Sequence, residues 1–454
     1  LTNMLTPMGQ ARADSVPMLV VSGVNQLDSL GKGLGHLHEL PDQMGLAQQV
    51  AQTSVRVEKP DDLLPALDAA FTAFQSGRAG PNHIEIPLDV AVYDHGVPNA
   101  KIATPERKAP DANQLEQAIE MLSIAKRAVV LVGGGAKGAD AAIGALAEKV
   151  DAVVIPTINA RGIMHRHPLC IPASASLEAV REEIEAADCV LALGTEFGPT
   201  DYDMMASDGL PKMRGLIRVD IDAAQLARHD ADVKIEADAA LTAQALAAQL
   251  PNLPINDGAA RAEQVRGKAW QELSDDYRLM CELLNVIRDE MPAALIVGDS
   301  TQPIYAGNLY FDHDVAGGWL NAATGFGALG YAIPAAIGAQ VAKPESNVVV
   351  IAGDGGAQFT LPELMTAAQE ELPITFIIWN NGGYGEIELT MERADIDVVG
   401  CDPKPPLFEA VATRCGMPYT RVPAEAEALA KALRPVRGQK GPRMIEINAP
   451  FIAS

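Results

Sequence analysis

Short apolar runs that end at glycine or at a polar residue recur along the chain and alternate with helix-like segments. Residues 18–23 (MLVVSG) and 82–88 (NHIEIPL) have the pattern of strands, and polar positions alternate in the second. The segment 60–74 between them begins with Pro-Asp-Asp and continues with helical periodicity. The first part of the chain therefore predicts strands joined by a helix.

The rest of the chain repeats this alternation of strand and helix. Strands are predicted at residues 128–132, 152–156, 189–193, 216–221 and 294–298 and a helix at 277–291. Two stretches without periodicity, 97–113 and 251–258, predict linkers. The resulting domains are residues 1–97, 114–250 and 259–454, which fits a length of 454 residues at roughly 150 residues per domain. The predicted fold class is α/β with parallel sheets.

Two further apolar runs stop at a cluster of glycine and polar residues. Residues 348–352 (VVVIA) are followed by Gly-Asp-Gly-Gly, and residues 374–379 (ITFIIW) are followed by Asn-Asn-Gly-Gly. Between them, Thr360-Leu361-Pro362-Glu363 has the form of a capping box. This predicts a strand, a helix that continues through Glu371, and a second strand parallel to the first.

The carboxyl ends of parallel strands lie at one edge of a sheet, where α/β proteins bind their ligands. Asp354 and Asn381 are therefore expected to converge. A carboxylate and an amide oxygen are suitable ligands for Mg²⁺, and the neighbouring glycines let backbone N–H groups approach a phosphate. The sequence thus predicts a magnesium and phosphate site, whereas Gly-Asp-Gly alone would also fit an ordinary turn.

The charge balance restricts the possible partners. Lys and Arg total 35 against 59 Asp and Glu, and the net charge of -24 argues against nucleic acid and membrane as partners. The five cysteines are far apart without metal-site spacing, so they are expected to be buried apolar residues in a reducing compartment. With neither a signal pattern nor an apolar run of ~18 residues, a cytoplasmic protein is expected.

Gly-Asp-Gly followed some two dozen residues later by Asn-Asn resembles the signature of thiamine-diphosphate-dependent enzymes. Residues 325–339 (GFGALGYAIPAAIGA) resemble the acetolactate-synthase-like branch of that family, and the likeness extends over the whole chain. The resemblance implies three doubly wound parallel-sheet domains (pyrimidine-binding, central and diphosphate-binding), of which the first is incomplete here. It also implies thiamine diphosphate and Mg²⁺ as cofactors, and a homodimer or homotetramer with the active site between subunits.

The resemblance assigns roles to single residues. The implied metal ligands are Asp354, Asn381 and Gly383. The implied cofactor-binding residues are Ser300, Thr301, Gln302, Gly327, Leu329, Gly353, Gly355, Gly356 and Tyr384. In that branch the residue matching Leu329 supports the bent cofactor. Gly133-Gly134-Gly135 follows a strand where some relatives bind FAD, but three glycines are weak evidence and FAD is not expected.

Two departures from the family pattern bear on the chemistry. Acetolactate synthases usually have Gly-Gln-His-Gln where this chain has Ser300-Thr301-Gln302-Pro303, so a histidine of that loop is absent. The family's cofactor-activating glutamate lies upstream of the segment that matches Leu1. Roughly 70 to 80 residues of the first domain are therefore expected to precede this chain, at ~30 residues per βαβ unit. No acid of the chain is assigned the catalytic role.

The resemblance implies decarboxylation of a small 2-oxo acid, with three candidate substrate contacts. His36 and His38 lie in a segment that matches an active-site loop of relatives, and Glu386 replaces a usually apolar residue of acetolactate synthases. Both segments resemble 5-guanidino-2-oxopentanoate decarboxylases, and acids near the pocket would suit a cationic substrate. Solvated loop charges are the simpler interpretation. A carboligase of the acetolactate synthase type and an inactive cofactor-binding subunit are the alternative functions.

Overall fold

The computed structural model describes residues 1–93, 106–204, 208–254, 256–434 and 440–449. The chain divides into two compact units, Leu1–Ala109 and Pro110–Ser454. The named strands form three sheets, of three, five and six strands, and every pair of neighbouring strands runs parallel. The predicted α/β class with parallel sheets is confirmed.

The first unit holds the three-stranded sheet, with strand order β1-β3-β2. Its strands are β1 Met18–Val24, β2 Thr53–Arg56 and β3 Pro81–Pro87. Its helices are α1 Leu5–Ala13, α2 Gln43–Gln48, α3 Leu63–Ser76 and α4 Leu88–Ala91. The two strands and the helix predicted for this part are confirmed with small shifts at their ends. The strand β2 was not predicted, because Thr-Ser-Val-Arg contains a single apolar residue.

Polar side chains are part of the interior of this first unit. β3 lies between the other two strands, and its His83 and Glu85 are fully buried. The ring nitrogens of His83 are hydrogen-bonded to the hydroxyls of Ser22 and Ser54, both at 2.7 Å, and burial lowers the pKa of His83. Glu85 accepts a hydrogen bond from Arg56 Nε at 2.6 Å. The polar alternation along this strand therefore reflects an internal network and not a solvated face.

The second unit contains the five-stranded sheet, with strand order β5-β4-β6-β7-β8. Its strands are β4 Ala128–Val132, β5 Val153–Pro156, β6 Cys189–Leu193, β7 Leu216–Asp220 and β8 Val233–Glu236. The helices around it are α5 Ala112–Ile124, α6 Asp140–Val150, α7 Glu178–Ala186, α8 Pro199–Tyr202, α9 Ala223–Ala227, α10 Ala239–Gln249 and α11 Gly258–Glu272. All four strands predicted here are confirmed, and β8 was missed. α5 begins within the linker predicted at 97–113, and residues 97–105 of that linker lie outside the described residues.

The consecutive glycines after β4 allow two loops of this sheet to touch. Gly133 follows β4 and Gly194 follows the adjacent strand β6. A methyl group at Gly133 would lie 2.1 Å from the carbonyl oxygen of Gly194. The backbone N–H of Gly135 donates to the same oxygen at 3.1 Å. Close backbone packing therefore accounts for these glycines.

The second unit also contains the six-stranded sheet, with strand order β10-β9-β11-β12-β14-β13. Its strands are β9 Leu295–Gly298, β10 Trp319–Asn321, β11 Val348–Gly353, β12 Ile374–Asn380, β13 Tyr419–Pro423 and β14 Arg443–Asn448. Its helices are α12 Asp275–Glu290, α13 Gln302–Leu309, α14 Ala332–Ala342, α15 Asp354–Ala357, α16 Glu363–Gln369, α17 Gly385–Arg393, α18 Phe408–Arg414 and α19 Ala426–Leu433. The strands β11 and β12 are almost completely buried, as their continuous apolar sequences predict.

The capping box predicted before α16 does not form. The helix begins at Glu363 with Pro362 as its N-cap, and no side chain caps it. Thr360 Oγ1 instead donates to the carbonyl oxygen of Gly330 at 2.8 Å. The prediction was wrong because this hydroxyl serves a contact that is distant in sequence. The helix also ends before Glu371, which has a positive φ of 50°.

The expectation that the cysteines are buried is confirmed for four of the five. All five are free, four of them are buried, and Cys415 is half-buried. None of the helices in the described ranges combines the length and the apolar composition that crossing a bilayer requires.

The contact at Gly133 makes a prediction for stability. Gly133→Ala should lower the free energy of unfolding by about 2 kcal/mol or more, because the methyl group overlaps a backbone carbonyl and the strands must separate. Thermal or urea unfolding measures the change. In the control Gly144→Ala the methyl group, on α6, meets no atom within 4 Å. The free energy of unfolding of that variant should rise by about 0.5–1 kcal/mol, because alanine favours a helix more than glycine does. Equal stability of the two variants would contradict the close packing.

Candidate functional site

Three neighbouring strands of the six-stranded sheet end at one edge. β9, β11 and β12 are adjacent and parallel. Residues 299–302 follow β9, residues 354–356 follow β11 and residues 381–384 follow β12. This edge therefore collects three of the segments that the sequence singled out.

Glycines at the end of β11 and directly after it face side chains from the other two segments. A methyl group at Gly353 would lie 2.9 Å from Thr301 Oγ1, and one at Gly355 would lie 2.5 Å from Tyr384 Cε1. Glycine is therefore needed at these positions for the segments to meet. Gly355 and Gly356 are buried in this arrangement, and their role in binding a phosphate stays a prediction.

Leu329 lies on a turn that is held by two hydrogen bonds to its neighbour Gly330. The N–H of Gly330 donates to Oδ2 of the buried Asp299 at 2.8 Å, and its carbonyl oxygen accepts from Thr360 Oγ1 at 2.8 Å. Gly330 has a φ of +81°, which favours glycine. Leu329 is 38% exposed, and its Cδ2 lies 3.6 Å from where a methyl group on Gly356 would be. The turn thus fixes an exposed aliphatic side chain beside the glycine segment.

Three oxygen atoms converge between the ends of β11 and β12. Asn381 Oδ1 lies 3.0 Å from Asp354 Oδ1 and 2.9 Å from the carbonyl oxygen of Gly383. All three are hydrogen-bond acceptors, so their contact is repulsive unless a cation lies among them or the amide turns by 180° and presents its nitrogen. Asp354 is fully buried, and its Oδ2 has no hydrogen-bond partner.

This arrangement fits Mg²⁺. In octahedral coordination with Mg–O distances of 2.0–2.1 Å, neighbouring ligand oxygens lie about 2.9 Å apart, which is the spacing found here. Within the described residues, three or more His, Cys, Asp or Glu side chains nowhere form a metal cluster. A site made of one carboxylate, one amide and one backbone carbonyl agrees with that, because Mg²⁺ keeps its remaining positions for phosphate and water.

Glu446 supports the turn that carries two of these ligands. It is 4% exposed and accepts hydrogen bonds from Asn380 Nδ2 at 2.8 Å and from the Tyr419 hydroxyl at 2.6 Å. Asn380 Oδ1 in turn accepts the N–H of Gly382 at 3.2 Å. The carboxylate of Glu446 therefore fixes the side chain that shapes the turn leading to Gly383.

Glu386 lies in the first turn of α17, immediately after the metal segment, and is half-buried. Two tyrosines lie within its electrostatic field. Burial first, and then the charge of Glu386, raise the pKa of Tyr277 and of Tyr305. A hydrogen bond with the Ser300 side chain acts on Tyr305 in the opposite direction. Glu386 therefore interacts electrostatically with two tyrosines of α12 and α13, and one of these, Tyr305, is hydrogen-bonded to Ser300.

The remaining predicted site residues lie on exposed loops. Gly327 has a φ of +69°, and its N–H donates to the carbonyl oxygen of Ala322 at 3.0 Å. His36 and His38 belong to the first unit, where both are exposed. The carboxylate of Glu39 organises their loop, since it accepts the N–H of His36 at 2.9 Å and those of the two preceding residues. The roles of all three residues stay predictions.

Asp299, Thr360 and Glu446 were missed by sequence reasoning. Asp299 could have been found, because it directly follows a strand that ends at the same edge. Thr360 was assigned to a helix cap, and its real partner is 30 residues away. Glu446 is on a strand whose pairing with β12 the sequence does not reveal.

Family models match most of the second unit. The model described as "Thiamine pyrophosphate enzyme, central domain" matches residues 115–246. The model described as "Thiamine pyrophosphate enzyme, C-terminal TPP binding domain" matches residues 299–447. The second match contains all three segments of the candidate site, residues 299–302, 354–356 and 381–384.

Two relatives and one solved structure extend the comparison. The chain is 36% identical over 458 residues to a probable 2-ketoarginine decarboxylase of Pseudomonas aeruginosa, covering 99% of this chain and 81% of that protein. It is 30% identical over 411 residues to the acetolactate synthase large subunit of Corynebacterium glutamicum, covering 85% of this chain and 64% of that protein. The structure of a thiamine-diphosphate-dependent 4-hydroxybenzoylformate decarboxylase of Rhodococcus jostii matches with a TM-score of 0.80 at 24% identity, covering 100% of this chain and 86% of that one. This last likeness concerns the fold.

We expect Mg²⁺ affinity to fall as the pH drops below about 6. Burial raises the pKa of Asp354 to about 6 in the cation-free protein. A proton then competes with the cation, so each pH unit below that value should weaken binding roughly tenfold. Calorimetric titration with Mg²⁺ on both sides of this pH measures the effect. Asp354→Asn should lose the binding and the exposed control Asp397→Asn should keep it; a pH-independent affinity would contradict the assignment.

In the absence of the cation, the carboxyl of Asp354 should make the protein more stable at low pH, although low pH weakens Mg²⁺ binding. Its pKa is raised from 3.8, so the folded state holds the proton more tightly than the unfolded state. The stabilisation is present at low pH and is lost as the pH rises from about 4 through about 6, by up to roughly 3 kcal/mol. The difference in free energy of unfolding between wild type and Asp354→Asn should therefore change over that interval, and a constant difference would argue against the raised pKa.

Proposed function

Since the chain belongs to the family of thiamine pyrophosphate enzymes, we propose that it decarboxylates a 2-oxo acid whose far end carries a guanidinium group. The observation that carries the substrate proposal is the half-buried Glu386, which lies next to the candidate metal segment and among two tyrosines. The relative named as a probable 2-ketoarginine decarboxylase supports the same substrate class over nearly the whole chain.

The edge of the six-stranded sheet is the proposed cofactor site. Asp354, Asn381 and Gly383 would hold Mg²⁺ against the diphosphate, and the backbone N–H groups around Gly355 would approach the phosphate oxygens. Leu329, on its fixed turn, would support the cofactor from the side. When bound, thiamine diphosphate supplies the carbon nucleophile and accepts the electron pair released with CO₂. The protein's contribution is to bind, orient and exclude water.

Recognition of the substrate's far end would depend on charge. A guanidinium is planar, and it forms charge-assisted hydrogen bonds with a carboxylate that are stronger than neutral ones. Glu386 would accept these bonds, and the rings of Tyr277 and Tyr305 would cover the cation through cation–π contact. Solvent screens this carboxylate only in part, because it is half-buried.

The remaining parts of the proposal concern the assembly. His36 and His38 are proposed to contact substrate from an active-site loop, and the active site is proposed to lie between the subunits of a homodimer or homotetramer. These statements rest on the resemblance of the first unit to the pyrimidine-binding domain of the family. The five free cysteines support a cytoplasmic enzyme, since thiols stay reduced in that compartment.

Carboligation is the second candidate, supported by the likeness to an acetolactate synthase large subunit. Such a reaction joins the decarboxylated fragment to a second carbonyl compound, so its product is a hydroxy ketone or a hydroxy acid in place of an aldehyde. Mass analysis of the product separates the two reactions. An inactive cofactor-binding subunit, the third candidate, would give neither product.

The protein should release CO₂ from 5-guanidino-2-oxopentanoate only when thiamine diphosphate and Mg²⁺ are both present. Glu386→Gln should raise KM for this acid by about 10- to 100-fold, because a hydrogen bond to a charged group contributes about 1.5–3 kcal/mol. Turnover of an uncharged 2-oxo acid of equal length should be unchanged. Coupled detection of CO₂ across both substrates measures this.

Glu388→Gln is the matched control, because Glu388 is also half-buried and lies in the same helical turn. It should leave both substrates unaffected. If Glu386→Gln lowered activity equally with the charged and the uncharged acid, the proposed recognition of charge by Glu386 would be contradicted. Cofactor binding without CO₂ release from any acid would favour the inactive subunit.

A further inference from the structure

A buried tryptophan and a buried glutamine lie behind the three converging oxygens. Trp379 ends the apolar part of β12 and is 1% exposed, and Gln302, in the first turn of α13, is 4% exposed. Trp379 Nε1 donates to Gln302 Oε1 at 3.1 Å. Asn381 Nδ2 donates to the same oxygen at 3.2 Å. One glutamine oxygen thus accepts hydrogen bonds from two side chains.

The chemistry of these groups decides which way each amide faces. An indole N–H can only donate, so Gln302 must present its oxygen to Trp379. That oxygen can only accept, so Asn381 must present its nitrogen to Gln302. The amide oxygen of Asn381 is then directed at Asp354 and Gly383, the orientation in which three oxygens meet. Turning the amide would place two oxygens 3.2 Å apart at Gln302.

We infer that Trp379 and Gln302 are positioning residues that keep the amide oxygen of Asn381 directed at a divalent cation. The inference rests on the Mg²⁺ site of the proposed function and gives Gln302 a role in holding the metal ligand. Without this pair, the Asn381 amide is free to turn, and its nitrogen would donate to Asp354 Oδ1 and to the carbonyl oxygen of Gly383. The turned form satisfies hydrogen bonds but cannot bind a cation.

The size of the effect follows from the population of the turned form. The turned amide gains two hydrogen bonds, and each raises the ratio of turned to original orientation a few-fold, so together they favour the turned form by roughly tenfold. The apparent Kd for the cation rises by the inverse of the competent fraction. Loss of the orienting pair should therefore weaken cation binding by roughly 5- to 20-fold.

The experiment measures Mn²⁺ binding by electron paramagnetic resonance, with and without thiamine diphosphate, and needs no turnover. Trp379→Phe removes the donor and Gln302→Leu removes the shared acceptor, so both should weaken Mn²⁺ binding by the stated factor. Gln302→Glu keeps an oxygen toward both donors and cannot present a nitrogen, so it should retain wild-type affinity or exceed it. Rescue by glutamate but not by leucine is the signature of amide orientation.

Trp319→Phe is the matched control for the tryptophan. Trp319 is also 1% exposed, lies in β10 of the same sheet, and donates its Nε1 to Asn308 Oδ1 at 2.9 Å. This variant should lose thermal stability to a similar extent and keep its Mn²⁺ affinity. Unchanged Mn²⁺ affinity in Trp379→Phe, or equal weakening in both tryptophan variants, would overturn the inference.

The two variants of Gln302 test the inference even if Trp379→Phe does not fold. Equal Mn²⁺ affinity of Gln302→Leu and Gln302→Glu would overturn it, as would a wild-type protein that binds no Mn²⁺. Mn²⁺ binding that follows the expected order in a protein without decarboxylase activity would support the inference, and would count against the proposed function alone.

Discussion

Acceptor atoms crowd together at the carboxyl edge of the six-stranded sheet, and this contact is repulsive unless a cation lies among them or the Asn381 amide turns. Asp354, Asn381 and Gly383 each contribute an oxygen, and the oxygen of Asn381 lies 3.0 Å and 2.9 Å from the other two, which matches neighbouring ligands of Mg²⁺. The order of β9, β11 and β12 brings the three loops together, but strand order alone does not orient an amide. That orientation requires the buried partners behind the site.

The negative charge of the chain also means that an anionic ligand at this edge would need positive charge beside it. The protein carries a net charge of -24, and Asp299, Asp354 and Glu446 are all buried at or near this edge. A diphosphate would add further negative charge to a region that is already acidic. Backbone N–H groups at the glycine turn and a divalent cation are the means by which such a ligand can be held there. The hydrogen bonds to Gly330 fix the turn that carries Leu329, and so place one apolar side chain among the polar and charged groups of this edge.

Sequence periodicity predicted the strands that are buried on both faces, such as Ala128–Val132 and Cys189–Leu193, because continuous apolar runs have few alternatives in a parallel sheet. It missed Thr53–Arg56 and Tyr419–Pro423, which are short edge strands with exposed polar residues. The convergence of Asp354 with Asn381 was predictable from strand ends. The partners of Thr360 and Trp379 were not, since a hydroxyl fits a helix cap and a tryptophan fits a buried strand equally well. Their roles depend on hydrogen bonds between residues 30 and 77 positions apart.

Gly383 offers a main-chain oxygen, and no substitution can delete a main-chain oxygen. What substitution can do is move it. A methyl group at Gly383 would lie 2.4 Å from the carbonyl oxygen of Cys401, which also accepts the N–H of Tyr384 at 2.8 Å. Whether a larger residue can replace Gly383 at the candidate metal site therefore depends on the space between Gly383 and the segment around Cys401, which itself supplies no candidate ligand. A larger residue at 383 would therefore require the segment around Cys401 to shift, and the candidate ligand oxygen would keep its place only if that segment can move away.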